Sequence, residues 1–205
     1  MITVIDYGMG NLRSIWKGLE FVGGEVEVTN DLGKIKNAEK IVLPGVGAFG
    51  DGMTNLRTLG IDTLLKDLIL NEKKPFLGVC LGMQLLAKKS YEFGEHEGLG
   101  IIDAEVKRFT VDETHHLSVP HVGWNTIELK NPHPFFEGIP EKADFYFVHS
   151  YFVDCTDTSL VAATCDYGIS FPAILAKENI FATQFHPEKS QKYGLRLLKN
   201  FVEFK

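Results

Sequence analysis

Apolar and polar positions along this chain switch between strand and helix periods. Ile2-Thr3-Val4-Ile5 is a β-branched run, broken by Asp6-Tyr7-Gly8-Met9-Gly10-Asn11. From Leu12 onward, Ile15, Trp16, Leu19 and Val22 recur at helical spacing, and Gly23-Gly24 stops that helix. Glu25 to Val28 alternates like a strand with one solvated face, and Lys40 to Leu43 is the next apolar strand. Phe49 to Thr58 and Ile61 to Asn71 read as amphipathic helices. Phe76 to Val79 reads as a buried strand, and Met83 to Lys89 carries helix-forming residues. The order β-α-β-β-α-α-β-α predicts an α/β fold with a doubly wound, mixed, mostly parallel sheet flanked by helices. In such sheets the functional site lies beyond the carboxyl ends of the strands.

The second half changes character. Ser90 to Thr114 is less regular, with loops at Gly94, Gly98 and Gly100, and the polar stretch Val111 to His116 reads as an exposed connection. Its His115-His116 pair reads as a solvated turn, since two adjacent histidines alone make a weak metal signal. From Pro120, short strands are expected at Asn125–Leu129, Asp144–Val148, Tyr151–Val153, Val161–Thr164, Ile174–Lys177 and Ile180–Gln184. Tyr193 to Phe204 closes the chain as a helix burying Leu195, Leu198, Phe201 and Val202. No break in composition divides the chain, so residues 1–205 are expected to form a single domain.

Composition excludes several classes of function. With 205 residues and 44% hydrophobic content there is enough material for one substantial core. Twenty-one Lys and Arg against 27 Asp and Glu give a net charge of −6, which argues against a nucleic-acid surface. No apolar run approaches the roughly 20 residues that span a bilayer, and the N-terminus already reads as a strand, not a signal peptide. Cys80, Cys155 and Cys165 have neither metal-ligand nor disulfide-framework spacing, so a reducing cytoplasm and no metal are expected. Gly8-x-Gly10 lacks the third glycine of a dinucleotide fingerprint, because position 13 is Arg. A turn in which Asn11 shapes a pocket fits better.

The candidate chemistry sits at two strand ends. Gly78-Val79-Cys80-Leu81-Gly82 has the spacing of a Gly-x-nucleophile-x-Gly elbow, in which the glycines let neighbouring backbone approach without a Cβ. A cysteine there is expected to point into solvent from the first turn of a helix, where the helix dipole favours the thiolate. The plain alternative is a buried core cysteine. Pro44-Gly45-Val46-Gly47 follows a strand and exposes backbone N–H groups, as an oxyanion hole requires, although a simple glycine turn has the same composition. In Gln184-Phe185-His186-Pro187-Glu188, residues 186 and 188 share a side of an extended chain, so Glu188 can hold one imidazole nitrogen of His186 while the other faces a nucleophile.

Six stretches, in order, resemble the class I, triad-type glutamine amidotransferases, and the likeness runs nearly end to end. They are Asp6–Leu12, Leu43–Gly47, Gly78–Leu86, Pro120–Asn125, Tyr146–Tyr151 and Gln184–Ser190. Within that family the chain looks most like the glutaminase subunits of imidazole glycerol phosphate synthase. The resemblance implies a flavodoxin-like fold, no cofactor, and a Cys80-His186-Glu188 triad that hydrolyses L-glutamine through a glutamyl thioester. It implies an oxyanion hole from Leu81, Val46 and Gly47, completed by a peptide reorientation in the Pro44–Gly47 loop, and glutamine contacts from Gln84, Ser150 and Tyr151. It also implies a heterodimer with a (βα)8-barrel cyclase faced by Asn11, Trp124, Tyr146 and Lys189, with no nucleic-acid or membrane partner.

Two positions depart from the usual pattern. Val122 stands where members more often have Met, and Lys17 where some have Arg. The stretches His149–Tyr151 and Lys189–Leu195 also resemble a sister group that supplies ammonia for acetamidino sugars of surface polysaccharide. Further alternatives are a cysteine hydrolase of the same architecture and a non-catalytic binding module, which the intact Cys80-His186-Glu188 set disfavours.

Overall fold

The computed structural model describes residues 1–110, 117–130 and 133–205; the expected exposed connection at 111–116, with His115 and His116, lies outside them. The first half is built from β1 (Ile2–Ile5), α1 (Leu12–Phe21), β2 (Val26–Thr29), α2 (Leu32–Lys36), β3 (Lys40–Gly45), α3 (Phe49–Thr58), α4 (Ile61–Lys66), β4 (Phe76–Cys80) and α5 (Leu81–Gln84). Then come β5 (Lys89–Ser90), β6 (His96–Glu97), β7 (Ala104–Arg108), β8 (His121–Leu129), β9 (Lys142–His149) and β10 (Tyr151–Cys155). The chain ends with β11 (Val161–Asp166), β12 (Ser170–Lys177), β13 (Ile180–Thr183) and α6 (Gln191–Glu203).

Nine strands form one sheet in the order β2-β1-β3-β4-β13-β12-β11-β8-β9. Its first five strands pair in parallel, and their 2-1-3-4 order with β13 as the fifth is the flavodoxin-like winding. The other four pairings are antiparallel, so the sheet is mixed and its parallel half carries the winding. β4 is buried along its whole length, which explains its unbroken apolar run. The helix α1 buries Ile15 and Leu19 against the sheet; complete burial of such side chains stabilises by about 1.5–3 kcal/mol each.

Four expectations need correction, and one short helix has no counterpart in the sequence reading. The helix expected over Met83–Lys89 is only Leu81–Gln84. Backbone N–H groups of residues 98–102 bond the carbonyls of Leu85, Leu86, Ala87 and Lys88, so tertiary bonds take the acceptors that a longer helix would use. The irregular stretch from Ser90 contains β6 and β7, which with β5 and β10 make a second, four-stranded sheet. The short α2, capped by Asp31 and burying only Ile35, has too little periodicity to be read from sequence. In α6 the buried apolar residues are Leu197, Leu198 and Phe201, while Leu195 and Val202 are half-buried. The helix from Ile61 also widens its hydrogen-bond spacing, passing from α to π geometry over Asp67–Asn71.

Candidate active site

The carboxyl ends of β1, β3, β4 and β13 converge, and each delivers one part of the site. At the end of β4 the chain turns into α5 through Cys80, whose φ of 54° is a left-handed value that costs a non-glycine residue energy. The flanking glycines allow this turn by close approach: a Cβ on Gly82 would overlap the Leu43 carbonyl, and one on Gly78 would crowd the Gly82 carbonyl. Cys80 is not directed into bulk solvent, being only 6% exposed. With α5 a single turn long, the orphan N–H of Leu81 contributes more here than a helix dipole.

Cys80 opens onto a cavity of about 350 Å³. Val46, Gly47, Leu81 and Gln84 line it from one side, and Ser150 and Tyr151 from the other, so every residue expected to bind the oxyanion or glutamine meets there. Glu92, Pro120, Val148 and His149 also line it. The Glu92 carboxylate accepts the Phe49 N–H at 2.6 Å, and burial holds its carboxyl above the ordinary range despite that bond. A larger, more open hollow of about 770 Å³ lies between Leu129 and Glu141, but its lining has no nucleophile beside a base.

His186 follows β13 by three residues, at the N-cap of a 3-10 turn over Pro187–Lys189, and lies in contact with Cys80. Its Nδ1 bonds Glu188 Oε1 at 2.8 Å, and both side chains are 3% exposed. Burial pulls the imidazole pKa down, but contacts with Cys80 and then Glu188 outweigh it and raise the value to about 10. His186 Nε2, the nitrogen left for Cys80, is buried and without a hydrogen bond. The turn is fastened to β9: His186 N–H bonds Tyr146 O, Ser190 Oγ–H bonds His186 O, and Ser190 Oγ accepts Tyr146 N–H. Gly18 of α1 lies against Leu198 Cδ1 and Glu188 Cβ, and a Cβ there would crowd Leu198 and touch Glu188.

Several buried groups around Cys80 were not singled out from the sequence. Gln184 Nε2 reaches Cys80 Sγ at 3.7 Å, and its Oε1 accepts from Gln84 Nε2 at 3.2 Å. Gln84 Nε2 also donates to Tyr151 O at 2.9 Å, so the amide nitrogen of Gln84 is committed inside the protein and only its Oε1 is left for a ligand. A signal for Gln184 was available, since it lies two residues before His186 where the chain leaves β13, the offset at which side chains of an extended segment share a side; Glu188 instead reaches His186 from a 3-10 turn over Pro187–Lys189. The Tyr7 hydroxyl is buried against Gly45 with no partner, and burial, then the Cys80 charge, raises its pKa.

Of the four residues expected to face a partner, three cluster. Trp124 is 49% exposed and meets the Tyr146 ring edge-on, with centroids 6.2 Å apart. Lys189 Nζ lies 5.8 Å from the centre of the Tyr146 ring. Asn11 stands apart as the exposed cap of α1, its Oδ1 accepting the Ser14 N–H. Among the described residues no cluster of potential metal ligands occurs and no helix is long and apolar enough to cross a membrane.

The family described as glutamine amidotransferase class-I matches residues 3–204. The imidazole glycerol phosphate synthase subunit HisH of Syntrophotalea carbinolica is 52% identical over 205 residues, covering 98% of each chain. The subunit of the same name from Geobacter sulfurreducens is 51% identical over 208 residues, covering 100% of this chain and 99% of that one. A solved structure titled PurLQS from Thermotoga maritima superposes with a TM-score of 0.78 over 99% of this chain and 97% of that one; at 18% identity it bears on the fold alone. A family match over almost every residue, and about half the sequence shared end to end with HisH subunits, mean that this chain belongs to the class-I glutamine amidotransferases, among the HisH subunits of imidazole glycerol phosphate synthase.

Proposed function

We propose that this chain, acting as one domain over residues 1–205 in the cytoplasm, hydrolyses L-glutamine to glutamate and ammonia. The ammonia passes to a (βα)8-barrel cyclase subunit that makes imidazole glycerol phosphate in histidine biosynthesis. The observation that carries this reading is Cys80, held at φ 54° on the floor of a ligand-sized cavity, with the His186–Glu188 pair behind it.

His186 takes the Cys80 thiol proton at Nε2, and the sulfur attacks the side-chain carbonyl carbon of glutamine. The tetrahedral oxyanion is held by the Leu81 N–H and by backbone N–H groups of Val46 and Gly47. Collapse breaks the C–N bond, the imidazolium gives its proton to the departing ammonia, and a glutamyl thioester is left. Water, deprotonated by His186, then releases glutamate and restores the thiol. Glutamine and water balance this sequence with no cofactor. Glu188 holds the imidazole in one orientation throughout. In the cavity, Gln84 Oε1, Ser150 and Tyr151 hold the amino-acid end, and the Glu92 carboxylate suits the α-ammonium.

Trp124, Tyr146, Lys189 and Asn11 are assigned to the cyclase interface. The Tyr146 backbone bonds both His186 and Ser190, which gives docking a direct mechanical route to the base. The test is ammonia release from glutamine by the purified chain, alone and with the histidine-pathway cyclase plus its ribonucleotide substrate. Low basal release, strong stimulation by that pair and loss in Cys80→Ala are expected. Absence of release under both conditions overturns the reading.

A further inference from the structure

We propose that Gln184 is a further catalytic residue, one that donates its amide N–H to the Cys80 sulfur and holds the thiolate once its proton has moved to His186. This rests on the reading of Cys80 as nucleophile. The two atoms lie 3.7 Å apart, and Gln184 is fully buried, so no water competes for the donor.

The orientation of the Gln184 amide follows from the hydrogen bonds around it. Tyr151 O can only accept, so Gln84 must present its NH2 group there. The second hydrogen of that NH2 goes to Gln184, which must therefore present its oxygen and leave its own NH2 for Cys80. Reversing Gln184 would set NH2 against NH2 and remove the bond to sulfur. Tyr151 O also lies 2.9 Å from His149 Nδ1, which must carry a proton to bond it. A neutral His149 then has its lone pair on Nε2, which accepts from His121 Nδ1 at 3.1 Å. His121 Nε2 in turn accepts from Asn125 Nδ2 at 3.3 Å. One proton arrangement satisfies the whole buried chain from Asn125 to Cys80.

A thiol is a weak acceptor and a thiolate a strong one, so this N–H stabilises the charged nucleophile more than the resting thiol. The proton that leaves sulfur resides on His186 Nε2; Gln184 neither gains nor loses one. The other titratable groups around Cys80 are His186 with Glu188 behind it, His149 from β9, Tyr7 beyond β1, and Glu92 across the cavity.

The decisive measurement is the pH dependence of iodoacetamide alkylation at Cys80, read by mass spectrometry on the full chain. In Gln184→Met, which keeps length and loses the donor, the half-maximal pH rises by about one unit, and kcat for glutamine falls about tenfold with KM changed less than about twofold. Gln84→Met, which removes the anchor for Gln184 Oε1, shifts the same profile part of the way. An unchanged profile in folded Gln184→Met overturns the proposal. If that variant does not fold, an unchanged profile in Gln84→Met does so. The alkylation profile needs no glutamine turnover, so a shifted profile in a chain that never hydrolyses glutamine would sink the proposed function and leave this assignment standing.

Discussion

His121 Nδ1 faces His149 Nε2 at 3.1 Å inside the protein, with the two residues 3% and 6% exposed. Burial lowers the pKa of His121 to about 4; burial, then the neighbouring His121 and His186, lowers that of His149 to about 3 despite its bond to Tyr151 O. A depressed folded-state pKa means stability that is present above the unfolded histidine value near 6.5 and lost as pH falls toward 4. His186, raised to about 10, has the opposite sign. Its contribution is full below about 6.5 and fades only as pH rises toward 10, so it adds no slope in the acid window. Unfolding free energy should therefore fall by about 2 kcal/mol or more between pH 7 and pH 4.5 through this pair. Urea melts of the unsubstituted chain and His121→Gln across that range check it. Equal slopes in the two proteins would mean that the pair protonates in the folded state without cost.

Glu188→Gln should lower kcat by about tenfold or more and leave KM for glutamine nearly unchanged. Among the described residues, Glu188 Oε1 is the only hydrogen-bond partner of His186 Nδ1, while Oε2 is buried with none. An amide in that position either bonds Nδ1 less strongly or turns its NH2 into a space without an acceptor. Steady-state kinetics with cyclase present read the split; a change confined to KM would assign Glu188 to substrate binding instead.

Trp124→Ala should raise the cyclase concentration needed for half-maximal stimulation by about thirtyfold, without changing basal release from the isolated chain. Trp124 is half exposed, packs edge-on against Tyr146 and does not line the cavity, so its loss costs the free subunit little. Titrating cyclase against ammonia release measures this directly. An unaltered titration would remove Trp124 from the interface.

The parallel half of the fold was legible because its central strands β1, β3 and β4 are apolar runs and its edge strand β2 alternates apolar with charged or polar residues. Ile2–Ile5 and Phe76–Val79 match their observed strands to within a residue. The second sheet was not legible. β5 and β6 are two residues each, and Lys89, His96 and Glu97 carry no apolar alternation for a period to act on. In the site, His186 and Glu188 could be picked out from their spacing, although the segment expected to be extended is a single 3-10 turn over Pro187–Lys189 with His186 at its N-cap, and it is this turn that brings the carboxylate to the imidazole. Gln84 and Glu92 meet His149 from a distant part of the chain, and only tertiary pairing shows that Gln84 spends its amide nitrogen on Tyr151 O and Gln184. The exposure of Cys80 was misjudged for a similar reason, since the walls that cover it come from β9 and the Pro44–Gly47 loop and not from its own elbow.

Tyr7 and Gly45 supply the last test. The Tyr7 hydroxyl is buried, has no hydrogen-bond partner and lies where a Cβ on Gly45 would have to sit. A buried hydroxyl without a partner carries an uncompensated desolvation cost, so Tyr7→Phe should stabilise the free chain by about 1 kcal/mol. Gly45→Ala should destabilise it by about 2–4 kcal/mol, because the added methyl meets both the Tyr7 hydroxyl and Leu81 Cβ. In the double variant the hydroxyl clash is gone and the Leu81 contact remains. Its loss should therefore be smaller than the sum of the two single effects predicts, a coupling of about 1 kcal/mol. Chemical denaturation of the four proteins completes the cycle. Strict additivity would mean that the Tyr7 hydroxyl does not press on Gly45, and the loop that carries Val46 and Gly47 would then owe its position to Leu81 alone.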